Sequence, residues 1–366
     1  MPPSSRSLRK LKALRGAVDV LDRRVLRALN ARMRLVKSIA RVKKDERLPV
    51  YAPDREEKLL RALARANAGP LTGEGLRAIY REILSAARSL EEPVRVAYFG
   101  PEGSFTHLAA RTRFGAQEAY VPVPTIPDVF YEVERGKAEY GVVPVENSTE
   151  GVINHTLDMF MESDLKICAE EQVPIELMLM ARARTLDEIR VVYSHPQPLA
   201  QCRHWLDERL ARASRIEVRS TPEAAKRAAG QRGAAVIGPE LLARLHGLRI
   251  LARNLEDLAG NTTRFFVLAR SWSPRTGHDK TSLMFAAKDR VGVLYDMLQP
   301  FRRHRINLTS IESRPSRKRA WEYCFFVDLD GHVEDRRVAS AVRDLGRYCT
   351  VVKLLGSYPA AGAPKS

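Results

Sequence analysis

The chain has 366 residues, enough for two or three domains that each bury a core of their own. Its hydrophobic fraction of 45% suits a soluble globular protein. No apolar run reaches the roughly 20 residues that span a bilayer, and the start lacks the apolar segment of a signal peptide, so a cytoplasmic protein without membrane association is expected. The net charge of +17 raises nucleic acid as a partner, but the excess is local: residues 1–92 hold 22 Lys and Arg against 11 Asp and Glu, or +11 of the total. Cys168, Cys202, Cys324 and Cys349 are scattered without metal-ligand or redox spacing, which predicts reduced structural thiols and no metal.

Residues 8–45 contain no proline and a single glycine, Gly16, and apolar residues recur in a three-four alternation at Leu11, Leu14, Val18, Leu21, Val25, Ala28, Leu35, Ile39 and Val42. This predicts one helix roughly 57 Å long. A compact domain of this size cannot cover it, so a second copy is expected along the seam, as a homodimer or larger homo-oligomer. Arg32 stands where the seam wants an apolar residue, and a buried guanidinium needs an anion beside it. Lys43 lies eleven residues on, about three turns, and projects from nearly the same face. After a loop at 48–51, a second helix opens near Pro53-Asp54 and stops at Gly69-Pro70; a third runs from about 74 to 92 and ends at Pro93.

Three helices, one very long and with cations on inner faces, resemble the all-helical chorismate mutases over residues 1–92. The resemblance rests on Arg15 in Leu-Arg, Arg32 in Asn-Ala-Arg, Lys43 at the end of helix one, and Arg55-Glu56 opening helix two. It implies a cofactor-free rearrangement of chorismate to prephenate, needing only a compact substrate and stabilised charge on the ether oxygen. Arg15, supplied by the partner chain, and Arg32 would hold the carboxylates, Lys43 would donate to the ether oxygen, and Arg55 and Glu56 would complete the substrate contacts. Two positions depart from the family pattern. Ala52 stands where some relatives carry a carboxylate, and the second ether-oxygen donor, often Gln, falls on Glu91, with Glu92 adjacent. The competing reading of a basic helical head is DNA binding, but helix-turn-helix modules use short helices joined by tight turns, and no nucleic-acid partner is expected.

Beyond Pro93 strands and helices alternate. Residues 94–99 read as a strand, Gly100-Pro101-Glu102-Gly103 as a tight turn and 104–114 as a helix, so Ser104 stands at a candidate anion site. The strand at 140–145 runs into Glu146-Asn147-Ser148-Thr149-Glu150-Gly151, either a helix-capping loop or a site. Next comes Ser194-His195-Pro196-Gln197-Pro198, with Gln201 one turn into the following helix. Last is Asn261-Thr262-Thr263-Arg264-Phe265, a polar cluster at the mouth of an apolar strand. Such a cluster can bind and protonate a small carboxylate substrate or simply cap a strand entry.

Gly-Pro-Glu-Gly-Ser-Phe, Pro-Val-Glu-Asn-Ser, Ser-His-Pro-Gln-Pro and Asn-Thr-Thr-Arg-Phe, in this order, resemble the prephenate dehydratases over residues 93–270. The resemblance implies a two-lobed α/β fold like that of periplasmic binding proteins, with the site in the cleft and no cofactor. Prephenate would lose its ring hydroxyl and a carboxylate to give phenylpyruvate. Thr263 would donate to the leaving hydroxyl, Glu146, Asn147 and Gln201 would orient substrate and proton, and Ser104, Thr106, His195 and Arg264 would bind substrate.

Residues 271–279 read as a linker, opening a third domain over 271–366. Strand 281–287, helix 292–303, strands 308–312 and 322–329, helix 334–345 and strand 351–358 make a ferredoxin-like α+β arrangement at about 279–358. Arg290-Val291-Gly292-Val293-Leu294 and Glu312-Ser313-Arg314-Pro315 resemble the ligand motifs of the amino-acid-binding ACT domains. Gly292, with Val293 and Leu294, would let the backbone approach an amino-acid carboxylate, Asn307 would take the polar end, and Glu312, Ser313, Arg314 and Pro315 would complete the pocket. Together the three resemblances imply a multidomain enzyme that carries chorismate through prephenate to phenylpyruvate under feedback control by L-phenylalanine.

Overall fold

The computed structural model describes residues 5–46, 50–288, 290–315 and 323–361. Some of the loop expected at 48–51 and the expected strand start at Glu322 lie outside the described residues.

In chain order the elements are α1 (Ser5–Asp45), α2 (Pro53–Ala66), α3 (Gly73–Ser89), β1 (Arg95–Phe99), α4 (Phe105–Phe114), β2 (Ala119–Val123), α5 (Ile126–Glu134), β3 (Tyr140–Asn147), β4 (Gly151–Val152), α6 (Asn154–Glu162) and β5 (Lys166–Pro174). They continue with β6 (Met178–Ala181), β7 (Val191–Ser194), α7 (Pro196–Gln201), α8 (Arg203–Arg209), β8 (Ser214–Glu217), α9 (Thr221–Gly230), β9 (Ala234–Gly238), α10 (Leu241–His246), β10 (Arg249–Ala252) and β11 (Thr262–Ala269). The last six are β12 (Asp279–Ala286), α11 (Val293–Arg303), β13 (Leu308–Pro315), β14 (Tyr323–Asp330), α12 (Arg336–Leu345) and β15 (Val351–Pro359).

The chain divides into two compact units. The first comprises residues 1–51, 69–94 and 115–118. Its α1 is 41 residues long, as the unbroken apolar periodicity predicts, and its seam is bare within one chain: Leu14, Val18, Leu21 and Val25 are each more than half exposed. α3 starts at a Thr72 cap, whose hydroxyl accepts from the Gly75 amide at 3.0 Å. Near its end, buried Arg88 pairs with buried Glu118 at 2.8 Å and lies over the Tyr51 ring, while the second Glu118 oxygen accepts from the Val94 amide at 3.0 Å. Gly115 makes this possible: its φ is +88°, and a Cβ there would come within 2.4 Å of Ser85 Cβ.

The second unit holds α2 and most of the chain beyond residue 94. Its dehydratase-like region is built on two sheets, one to each lobe. In the first lobe the strand order is β5-β11-β3-β1-β2, with β11 antiparallel to both neighbours; in the second it is β10-β6-β9-β7-β8. The chain passes between lobes after β5 and returns before β11, and Thr262 pairs with Pro174, so the two crossings run side by side. The second lobe buries a core of its own around Leu177, Leu179, Val192, Leu206 and Ile237.

The C-terminal segment forms a β13-β14-β12-β15 sheet with α11 and α12 packed around Phe285, Met297, Phe301 and Leu345. This is the ferredoxin-like arrangement expected from the pattern. The sequence carries no hint that this sheet is continuous with that of the first lobe. β15 lies parallel to β5 through the single pair Gly356 and Ile167, giving one sheet of ten strands. The linker is stitched in as well: Ser273 donates to the Cys168 carbonyl at 2.6 Å, and its own carbonyl accepts from His332 Nε2 at 2.9 Å.

Candidate active sites

In the first unit the long helix ends where Lys43 meets Glu91. The ammonium lies 3.6 Å from Glu91 Oε2 and donates to the Val50 carbonyl at 2.8 Å. Glu91 sits just past the end of α3, its backbone N–H donating to the Arg88 carbonyl at 2.8 Å. Two buried atoms here have no hydrogen-bond partner among the described residues, Arg32 Nη1 and Glu91 Oε2. A buried guanidinium nitrogen without an acceptor is costly unless an anion arrives, and Arg32 is the same residue whose place on the seam calls for one. Arg15 is exposed on α1. Arg55 and Glu56 stand in the first turn of α2, within the second unit.

In the second unit the ends of β3 and β11 build a polar cluster around Asn147. Its Oδ1 accepts from the Thr149 and Glu150 amides, both at 3.0 Å, which fixes the amide orientation. Its Nδ2 therefore donates twice, to Asn261 Oδ1 and to Thr263 Oγ1, each at 2.8 Å. Because Thr263 accepts here, its own O–H remains available as a donor. Ser148 ties the loop to the strand by accepting from the Thr262 amide at 2.9 Å. From the second lobe, Gln201 reaches Glu150 at 3.4 Å and Gln197 bonds the same carboxylate oxygen. Asn147, Gln201 and Thr263 are thus joined through one network, and Glu150 and Gln197 belong to it although sequence reasoning gave them no individual role, as does Asn261, expected only as a member of its polar cluster. The signal was present for Asn261, which opens the Asn-Thr-Thr-Arg-Phe motif.

His195 caps α7, its Nδ1 accepting from the Gln197 amide at 3.4 Å. Ser104 caps α4 by accepting from the His107 amide at 3.2 Å, and Thr106 is buried in that helix. Here the lobes touch closely: Gly103 has φ +86°, and a Cβ on it would fall 2.5 Å from Leu242 of α10. His107, stacked on Tyr98, is depressed to about 4 by burial and then by Arg111, so it stays neutral.

Two expected site residues lie elsewhere. Side chains alternate along a strand, so the neighbours of Asn147 and Thr263 emerge on the opposite face. Arg264 donates from Nε to Glu170 at 2.8 Å, from Nη1 to Asp328 and from Nη2 to the Tyr358 hydroxyl at 3.2 Å, which commits it within the protein rather than to a substrate carboxylate. Glu146, paired with Arg264 in register, lines a cavity of about 30 Å³ with Arg264, Glu312, Ser310 and Asp328, away from Thr263. Burial, and then Glu146, raise the Glu312 carboxyl above the usual range.

In the C-terminal domain Gly292 has φ +78° and opens α11, the left-handed conformation that glycine allows. Val293 and Leu294 follow it into the helix. Asn307 donates to Asp330 at 3.0 Å. Along β13, Ser310, Glu312 and Arg314 are partly covered, whereas Ile311, Ser313 and Pro315 are exposed. Arg314 reaches Asp158 of α6 at 2.9 Å, so this member of the expected ligand motif is engaged with the dehydratase lobe.

A helical module with a buried, unpartnered arginine nitrogen, a two-lobed α/β module with a hydrogen-bonded polar network joining its lobes, and a ferredoxin-like domain define a multidomain biosynthetic enzyme. Residues 14–92 match the type II chorismate mutase family, 96–272 the prephenate dehydratase family and 281–347 the ACT domain family. A bifunctional chorismate mutase/prephenate dehydratase of Aquifex aeolicus is 48% identical over 358 residues, covering 97% of this chain and 99% of that one. One from Pseudomonas aeruginosa is 41% identical, covering 96% and 98%. Among solved structures, a prephenate dehydratase from Arthrobacter aurescens in complex with L-Phe is similar with a TM-score of 0.67 and 34% identity, covering 73% of this chain and 90% of that one. The chain belongs to the bifunctional chorismate mutase/prephenate dehydratase family.

Proposed function

We propose that the chain converts chorismate to prephenate in its helical unit and prephenate to phenylpyruvate in the cleft of its second unit, under inhibition by L-phenylalanine. The observation that carries the dehydratase assignment is the Asn147–Thr263 bond, which makes the threonine oxygen an acceptor and leaves its proton for a ligand. In prephenate the ring carboxylate leaves as CO₂, the released electron pair enters the ring, and the C–O bond at the far ring carbon breaks. The departing hydroxide must gain a proton to leave as water. Thr263 supplies that hydrogen bond and relays the proton; an ordinary hydroxyl does this as a positioned donor, not as a strong acid. Asn147 holds the threonine, and Gln201, anchored through Glu150, orients the substrate.

For the mutase, Arg32 Nη1 awaits a carboxylate and Lys43 stands ready for the ether oxygen. The second donor position is held by Glu91. The bare seam of α1 supports a second copy lying along it, which would bring that copy's Arg15 to the site. For regulation, the left-handed Gly292 at the start of α11 supports binding of an amino-acid carboxylate, and Leu294, Tyr295 and Ile311 leave exposed apolar surface for a second copy's domain.

Supplying chorismate to the purified protein tests the reading. Phenylpyruvate should appear, and Thr263→Ala should instead accumulate prephenate. Unchanged phenylpyruvate formation by Thr263→Ala would remove Thr263 from the mechanism.

A further inference from the structure

Arg264 follows Thr263 directly and points to the other face of β11. Burial alone would lower the affinity of its guanidinium for the proton, but Asp328, Tyr358 and Glu170 outweigh this and raise it. Its nitrogens are divided among Glu170, 2.6 Å from Nη2, Asp328 and the Tyr358 hydroxyl, and its plane lies over Phe266 with 4.8 Å from Cζ to the ring centroid. Glu170 belongs to β5 of the dehydratase lobe, whereas Asp328 and Tyr358 belong to β14 and β15 of the C-terminal domain. Asp328 and Tyr358 are themselves joined through Ser282, whose hydroxyl lies 2.7 Å from that of Tyr358.

The backbone adds a second observation. The register between β11 and β3 shifts between Arg264 and Phe265, one residue beyond Thr263. The extra residue is Val145 of β3, while β11 itself stays paired with β5 through both Thr263 and Arg264, so a displacement of Arg264 is passed along one intact strand to Thr263. We propose that Arg264 is a positioning residue for the dehydratase reaction: it does not touch substrate, but fixes Thr263 and, through Asp328 and Tyr358, makes that position answer to the C-terminal domain. This rests on the reading of Thr263 as the donor to the leaving hydroxyl.

The arrangement differs in its consequences from an arginine that binds a substrate carboxylate. A binding arginine would set KM, and removing Asp328 would release it toward substrate and lower KM. A positioning arginine sets kcat, and removing Asp328 loosens both the donor and its link to the effector.

The test uses the full chain, with prephenate kinetics in the presence and absence of L-phenylalanine and calorimetry of L-phenylalanine binding. Arg264→Lys keeps the charge but cannot serve three partners in one plane, and is expected to lower kcat on the order of 10-fold with KM unmoved. Asp328→Asn, nearly isosteric, is expected to lower kcat a few-fold, keep KM and effector binding, and cut the inhibition at saturating L-phenylalanine at least about fivefold, within the usual range of coupling between sites. Tyr358→Phe removes one hydroxyl and should act in the same direction more weakly, which keeps the test alive should Arg264→Lys fail to fold. A 10-fold rise in KM for Arg264→Lys at unchanged kcat, or Asp328→Asn inhibited as strongly as the parent, would overturn the proposal. Thr263→Ala run alongside separates the two levels: a retained rate there sinks the underlying reading, whereas loss of rate there with parental behaviour in Arg264→Lys and Asp328→Asn sinks only this inference.

Discussion

Replacing Gly356 by alanine probes the seam between the dehydratase lobe and the C-terminal domain. A Cβ at this position would lie 2.2 Å from the Ile167 carbonyl oxygen, 2.8 Å from its nitrogen and 2.9 Å from its carbonyl carbon. Ordinary contacts begin near 3.4 Å, and every clashing atom is backbone, so no rotamer change can absorb the methyl group. β5 and β15 must separate by about 1 Å at the one register pair that joins them. Overpacking of this kind costs about 1–3 kcal/mol, and the rigidity of the neighbours places the change near the upper end. At roughly 2–4 °C per kcal/mol for a domain of 150–250 residues, the transition that includes the seam should fall by about 6–12 °C. Scanning calorimetry on the full chain measures this directly, with Gly230→Ala as a control because a Cβ there meets open space. A shift below about 1 °C for Gly356→Ala would refute the reasoning, since the strands would then not be held at this distance.

Three further outcomes are expected. Lys43→Met should reduce mutase turnover by about 10²-fold or more, the usual effect of losing a donor to developing negative charge, while prephenate turnover by the same protein stays near parental; loss of both in a folded protein would argue for one shared site. Glu312→Gln should stabilise the protein at neutral pH. The folded carboxyl is raised above its unfolded value by burial and by Glu146, so its ionisation opposes folding above that raised value, and the advantage of Gln should vanish as pH falls below the ordinary glutamate range; a gain in melting temperature independent of pH would contradict this. Leu21→Asp, placed on the exposed seam of α1, should lower the mass seen by analytical ultracentrifugation from dimer toward monomer, and an unchanged mass would move the interface elsewhere.

Periodicity was enough for α1, because an unbroken three-four repeat without proline has few other solutions, and of the six strands given bounds from the sequence, five agree with the structure to within two residues. Three of the polar motifs hold Asn147, Gln201 and Thr263, which the fold joins in one hydrogen-bonded network. Direction was harder to read. Arg264 and Glu146 sit beside Thr263 and Asn147 in sequence, and alternation sends them to the other face, where their surroundings come from β5 and from β12, β13, β14 and β15 of the C-terminal domain. No local pattern encodes such a partner. The charge at Glu170, in the middle of β5 directly after the apolar run Ile167-Cys168-Ala169, was the one clue that a buried cation would come to meet it. Segment 115–118 is a similar case. It follows a dehydratase-like helix in sequence but is claimed by α3 through Glu118 and Arg88, a pairing across 30 residues that neither stretch advertises alone.

The ten-strand sheet also has a consequence for synthesis. β5 is complete once Pro174 has been made, yet the strand that covers its outer edge begins only at Val351, near the end of the chain. Until then the ribosome-bound protein carries an open strand edge at β5, although Arg264 and Lys280, the cations that meet Glu170, have already been made. An uncovered edge invites pairing with another chain, so the growing protein passes through an interval when association with its neighbours on a polysome competes with its own completion. The charged residues in the middle and second half of β5, Glu170 and Glu171, discourage that association, and later Glu170 ties β5 to β11 through Arg264 while Glu171 pairs with Arg113 of α4.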